Sequence, residues 1–249
     1  LSRGLGDVYK RQFLASSLDL ADKTRTAEGI IRSALTSEPK DRKIYIAWDE
    51  WNVWYRARGA KERGRNILEE KYNLEDALVI ATFLNTFINH AHVVKIANMA
   101  QLVNVIAPIF TSKDEMFLQT IYYPLQLFAN NSIGTALDLL IDAPTYDSKK
   151  FGSVPYIDVS AARDGNKLIL NVVNRHLDQA IDVDFETENG QFSGSFEVAE
   201  VNGPDIKSEN TFGSTKVQTT RKSAQAKGNR LTCRFPAHSY TMLKGNLTA

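Results

Sequence analysis

Lys43-Ile-Tyr-Ile-Ala-Trp-Asp-Glu-Trp-Asn-Val-Trp-Tyr55 is the segment around which the rest of the chain can be ordered. Its first half, Lys43 to Trp48, is a short β-branched and aromatic run that is apolar on both faces, the pattern of a parallel strand covered on two sides. Its end turns acidic at Asp49-Glu50, and the three tryptophans of the chain, Trp48, Trp51 and Trp54, all fall here. In a parallel α/β barrel the C-terminal ends of strands and the loops that follow them build the active site, and Asp49 to Trp54 hold that position. Flat aromatic faces suit the C–H surface of a sugar ring, and carboxylates suit glycosidic chemistry. The residue types alone leave a second reading open, in which the tryptophans close a barrel mouth and the acids cap a strand.

Working outward, Leu18, Ala21, Ala27, Ile30, Ile31, Ala34 and Leu35 recur near helical spacing until Pro39 stops the run. On the other side, Arg56 to Arg65 reads as a charged, glycine-containing loop. Asn73 with Glu75 and Asp76 then opens an apolar helix, Ala77 to His90, whose first-turn carboxylates suit the positive helix end. Val93 to Met99 is the next buried strand, and Ser112-Lys-Asp-Glu115 predicts a capping box opening a helix from Glu115 to Phe128. This alternation over residues 13–134 is half of a repeating α/β design. The composition changes after Asn130-Asn-Ser-Ile-Gly134. Asp164-Gly165 joins Tyr156–Ser160 to Lys167–Val173 as a hairpin, and Asn189-Gly190 joins Ile181–Phe185 to the strand around Phe196–Val198. Val201 to Asn229 is polar and reads as a long loop with one edge strand, before Arg230–Phe235 and His238–Leu243, which meet at Pro236. Residues 135–249 therefore predict an all-β sandwich.

With 30 basic and 29 acidic residues, a net charge of +1, 43% hydrophobic and 24% charged residues, the chain has the profile of a soluble globular protein and lacks the basic footprint of a nucleic-acid binder. Neither a basic amphipathic helix nor a long apolar run suggests a membrane partner. The single cysteine, Cys233, has no disulfide partner within the chain and no metal-ligand spacing, and reads as an inert thiol. His90 and His92 read as structural polar groups at a strand entry, His176 and His238 as surface or turn residues, Tyr122-Tyr123 as packing, and Lys216 to Arg230 as a solvated cationic stretch. The opening run, residues 1–12, shows no clear helical or strand period. It resembles translated sequencing adapter from assembled environmental reads and is expected to be a non-native leader, with the natural N-terminus missing. Localisation is accordingly left unassigned, the cytoplasm being favoured over the periplasm or secretion.

Ala47-Trp-Asp-Glu-Trp-Asn-Val-Trp-Tyr55, Tyr72-Asn-Leu-Glu-Asp-Ala77 and Ala100-Gln-Leu-Val-Asn-Val-Ile-Ala-Pro108 occur in that order, followed by Ala143-Pro-Thr-Tyr146, Val201-Asn-Gly-Pro-Asp205 and Glu209-Asn-Thr-Phe212. Together they resemble the C-terminal portion of glycoside hydrolase family 51, the α-L-arabinofuranosidases, from about Phe13 to the end of the chain. The resemblance implies the C-terminal half of a (β/α)8 TIM barrel followed by a jelly-roll-like β-sandwich, and a retaining mechanism with two glutamates. Glu50 matches the nucleophile, Trp54 an aromatic lining the sugar subsite and Gln101 a polar contact to the furanose. Asp49, Asn52 and Asn104 lie in the same motifs as supporting residues. The acid/base glutamate of the family belongs to a Gly-Asn-Glu motif on an earlier strand, and no such motif precedes Glu50 here. The resemblance further implies an arabinose-containing oligo- or polysaccharide as partner, no metal or organic cofactor, and a homo-oligomer for the whole enzyme. Two alternatives are a non-catalytic carbohydrate-binding or structural module and a related glycosidase acting on xylosides or glucans.

Overall fold

The computed structural model describes residues 2–55 and 69–248. The predicted loop from Arg56 to Arg65 lies outside the described residues. Two helices, α1 (Ser2–Leu14) and α2 (Ser17–Ala34), precede β1 (Ile46–Trp51); α3 (Leu74–Asn89) then leads to β2 (Val94–Met99). β1 and β2 pair in parallel, with Ile46 opposite Val94 and Trp51 opposite Met99, so that β1, α3 and β2 form the strand–helix–strand unit expected from the sequence. Strand coverage differs from expectation. Ile44, Tyr45, Ala47 and Ile96 are exposed, so this two-stranded sheet is covered on the α3 side and not on both. The opening run, residues 1–12, is expected from its sequence to lack a period, but a helix spans Ser2–Leu14.

Ser112 to Glu115 does not start a helix. Ser112 Oγ accepts from the Glu115 N–H at 3.2 Å, the bond a cap would make, but the Ser112 N–H also donates to the Glu115 carbonyl at 2.8 Å. The pair closes a turn between β3 (Ile109–Thr111) and β4 (Met116–Leu118), and the helix, α4 (Tyr122–Asn131), begins later. A serine–backbone bond serves a turn as readily as a helix start, and the antiparallel pairing of the flanking apolar residues selects the turn.

The remaining elements are strands: β5 (Thr135–Leu137), β6 (Thr145–Ser148), β7 (Gly152–Pro155), β8 (Ile157–Asp164), β9 (Lys167–Asn174), β10 (Ile181–Glu186), β11 (Gln191–Asn202), β12 (Gln218–Gln225), β13 (Arg230–Phe235) and β14 (Ser239–Thr248). One sheet has the order β12-β11-β14-β9-β8-β5, and β10 pairs with β13 against it. The Asp164-Gly165 hairpin forms as predicted, with Gly165 at a φ of +57°. Asn189-Gly190 makes no hairpin: β10 pairs with β13, whereas β11 pairs with β12 and β14, so this turn carries the chain from one layer to the other. Gly190 is required there by a φ of +85° and by the Thr248 carbonyl oxygen, which lies 2.1 Å from where a Cβ would stand.

The middle strands of the six-stranded sheet, β8, β9 and β14, are buried on both faces, and strand alternation divides their side chains between two cores. Leu168, Leu170 and Val172 of β9 pack with Leu231, Cys233 and Phe235 of β13, whereas Ile169 and Val173 join a cluster with Leu74, Leu78 and Tyr240. α3 therefore lies between this sheet and β1, which is why Ala77, Leu78, Val79, Ile80 and Ala81 are all fully buried. Burial pushes the Cys233 thiol up to about 11, in keeping with an inert cysteine. Among the described residues no helix is long and apolar enough to cross a membrane.

Candidate active site

Glu50 stands near the C-terminal end of β1 and is exposed. The register shifts between Trp48 and Trp51, which face Ala97 and Met99, so β1 carries one extra residue at Asp49-Glu50. Such a bulge re-aims the side chains it carries. Simple alternation, which would send Asp49 to the opposite side from Glu50, does not hold here: both are exposed, while Trp51 turns into the core.

The tryptophans separate. Trp51 is 7% exposed and packs edge-on against Phe87, with ring centroids 5.1 Å apart, and Trp48 lies 6.4 Å from the same ring. These two anchor the strand to α3. Trp54, 48% exposed, is the most exposed of the three tryptophans.

The loop after β1 is tied to the loop after β2. Asn52 Nδ2 donates to the Ala100 carbonyl at 2.5 Å and also to the Ile106 carbonyl, while its Oδ1 accepts from the Val53 N–H at 2.8 Å. Asn52 thereby brings the Glu50 strand end beside exposed Gln101, which lies just past the end of β2. Asn104 acts elsewhere. Its Oδ1 accepts from the Thr111 N–H at 2.7 Å and its Nδ2 donates to Thr111 Oγ1 at 3.0 Å, so it fastens the β3–β4 hairpin rather than touching the β1 loop.

Beneath this surface is a buried polar cluster that sequence reasoning missed. The Tyr72 hydroxyl donates to the Val53 carbonyl at 2.7 Å, the Tyr55 N–H donates to Glu70 Oε1 at 3.1 Å, and the Tyr55 hydroxyl donates to Asp76 Oδ1. Asp76 Oδ2 accepts from the Asn73 N–H at 2.8 Å, completing a capping box at the start of α3. Gln119 joins the same region, donating to the Glu70 and Ala107 carbonyls and accepting from the Tyr72 N–H. Asp76 is fully buried, and burial pushes its carboxyl up to about 7 against the bonds from Tyr55 and Asn73. Glu75 is also raised by burial, opposed by its pairing with Lys207.

The shift of Asp76 has a definite sign for stability. A carboxyl with a raised folded pKa contributes stability that is fully present below its unfolded value near 3.8 and is lost as pH rises through about 7. The stability gap between the parent chain and Asp76→Asn should therefore shrink by roughly 2–3 kcal/mol between pH 5 and 8. Urea unfolding of both proteins at the two pH values measures it, and a gap independent of pH would contradict the assignment.

The histidines have local roles. His90 Nδ1 lies 2.8 Å from the Thr86 carbonyl oxygen, His92 Nε2 lies 3.1 Å from Glu28, and His176 Nδ1 accepts from the N–H groups of Asp178 and Gln179 in a turn. Among the described residues no group of three or more His, Cys, Asp or Glu side chains is arranged to hold a metal ion.

Residues 49–239 match the model of the α-L-arabinofuranosidase C-terminal domain. The chain is 34% identical over 246 residues to an intracellular exo-α-(1→5)-L-arabinofuranosidase of Bacillus subtilis, covering 93% of this chain and 48% of that protein. An intracellular exo-α-(1→5)-L-arabinofuranosidase of Halalkalibacterium halodurans is 35% identical, with 69% of this chain and 36% of that protein covered. Among solved structures, a family 51 α-L-arabinofuranosidase from Bifidobacterium longum superposes with a TM-score of 0.83 at 26% identity, over 95% of this chain and 48% of that one. The chain thus spans less than half the length of these relatives.

Proposed function

Because the chain belongs to glycoside hydrolase family 51, the α-L-arabinofuranosidases, as a C-terminal portion, we propose that it is the nucleophile-bearing part of a retaining, exo-acting enzyme that removes terminal non-reducing α-L-arabinofuranosyl groups from arabinan, arabinoxylan and their oligosaccharides. The observation that carries this reading is the exposed Glu50 on the bulge at the end of a parallel strand, with the half-exposed Trp54 in the segment that follows and Asn52 binding the loop of Gln101 to the same strand end.

In this reading Glu50 attacks the anomeric carbon while a second carboxyl protonates the departing glycosidic oxygen. The arabinosyl–enzyme ester is then hydrolysed by water, with the second carboxyl acting as base. Trp54 offers an apolar face to the furanose and Gln101 a hydrogen bond. Asn52 holds the two loops in register, and Asp49 and Asn104 support the surrounding backbone. No metal or organic cofactor enters a step. The parallel β1–α3–β2 unit supports a place in the C-terminal half of a (β/α)8 barrel, with residues 13–134 as barrel, 135–249 as the jelly-roll-like sandwich and 1–12 as a leader. The description of the two bacterial exo-arabinofuranosidases as intracellular favours the cytoplasm, and the whole enzyme is taken as a homo-oligomer.

The second carboxyl has no counterpart in this chain, since no Gly-Asn-Glu sequence precedes Glu50. The purified chain should therefore hydrolyse an α-(1→5)-arabino-oligosaccharide, whose sugar leaving group needs acid assistance, no faster than a buffer blank. Joined to the segment that carries the acid/base glutamate, it should become active, and substantial turnover by the chain alone would overturn this division of roles.

A further inference from the structure

We infer that Asp76 is a positioning residue for the sugar-binding loop: buried at the first turn of α3, it holds the Tyr55 hydroxyl and through it the orientation of the adjoining Trp54. This deepens the reading of Trp54 as the aromatic that lines the sugar subsite, and rests on it.

Three observations carry the inference. A capping box needs only one side-chain oxygen, and Asp76 Oδ2 supplies it to the Asn73 N–H at 2.8 Å. The second oxygen reaches across the sequence to Tyr55. A neutral Gln at this position of a capping box would satisfy the helix start, so the helix end does not itself call for a fully buried carboxylate. Finally, β1 ends at Trp51, and the segment from Asn52 to Tyr55 has no regular structure. Side chains bind it on either side of Trp54: Tyr72 on the Val53 carbonyl before it, and Glu70 and Asp76 on Tyr55 after it. The Tyr55 ring also lies 6.0 Å from Phe13, so removing only its hydroxyl leaves its packing in place. Among the described residues the charged groups that act on Asp76 are Glu75 and Lys207, which pair with each other.

The test compares Tyr55→Phe and Asp76→Asn with the parent chain, isolating the fluorescence of Trp54 as the difference between each protein and its Trp54→Phe counterpart. Acrylamide quenching of Trp54 should rise about twofold in both variants, with the quenching of Trp48 and Trp51 and the far-ultraviolet circular dichroism unchanged. Unchanged Trp54 quenching in a folded Tyr55→Phe protein would overturn the proposal. That variant decides the matter even if Asp76→Asn fails to fold. In the enzyme completed with its acid/base segment, Tyr55→Phe should raise KM for a nitrophenyl arabinofuranoside about tenfold while kcat changes less than about twofold. A fall in kcat at constant KM would also overturn it. If the completed parent enzyme shows no turnover, the hydrolase reading fails, while the quenching result still decides the role of Asp76.

Discussion

Replacing Glu50 by alanine in the completed enzyme is expected to lower kcat on the order of 10⁴- to 10⁶-fold, the scale seen when a covalent nucleophile is removed. This corresponds to about 5–8 kcal/mol of lost transition-state stabilisation. The expectation follows from position. Glu50 sits on the bulge of β1, exposed, at the strand end where its loop is bound to the loop of Gln101. Because the side chain lies outside both cores, the same substitution should shift folding stability by no more than about 0.5 kcal/mol. Steady-state kinetics and urea unfolding of one protein sample separate the two effects. A fall in activity matched by a loss of folded protein would point to a structural glutamate instead.

The largest expected effect on stability is at Arg175, just past the end of β9. This guanidinium is 2% exposed and satisfied on every side: Nε donates to the Leu14 carbonyl at 3.1 Å, Nη1 to the Pro155 carbonyl at 3.0 Å, and Nη2 to Ser17 Oγ at 3.0 Å and Asp158 Oδ2 at 2.6 Å. It fastens the α1–α2 junction to the sandwich sheet. Arg175→Met keeps much of the volume but strips partners from two backbone carbonyls, a hydroxyl and a carboxylate. Breaking a buried pair in this way costs about 3–5 kcal/mol. A lysine at 175 keeps the charge without the planar fork and should lose an intermediate amount. Denaturant midpoints for the three proteins test this, and a loss below about 1 kcal/mol for Arg175→Met would show that the sheet and the helices are held together by apolar packing alone.

Much of the architecture was written locally in the sequence. Asp164-Gly165 between two alternating runs specifies the β8–β9 hairpin, and Asn73 with Asp76 specifies the start of α3, because in both cases the deciding contacts lie within a few residues. Parallel pairing of β1 and β2 follows from the intervening helix. The misread features depend on distant partners. Ser112 makes the same bond in a turn as in a cap, and only the pairing of Phe110 with Phe117 distinguishes them. Asn189-Gly190 has hairpin chemistry, yet the partner of β10 arrives only at β13. The exposed face of β1 could not be read from its apolar residues, because coverage is supplied by other elements.

The site was legible in the same uneven way. Glu50, Trp54 and Asn52 lie in one short motif whose order along a strand end can be read directly, and the bulge that turns Asp49 and Glu50 outward together is invisible in that order. Trp48 and Trp51 looked equivalent to Trp54 until α3 supplied Phe87 as their partner. Asp76 was readable as a first-turn acid, but its bond to Tyr55 spans residues that no periodicity links.

The most direct measurement of the central claim is the site of covalent attachment when the completed enzyme reacts with a mechanism-based arabinofuranosyl label carrying an activated leaving group, which dispenses with acid assistance. Peptide mass mapping should place the pentosyl adduct on Glu50, with labelling abolished in Glu50→Ala. An adduct on Asp49 or any other carboxylate, or undiminished labelling of Glu50→Ala, would contradict the assignment of Glu50 as nucleophile.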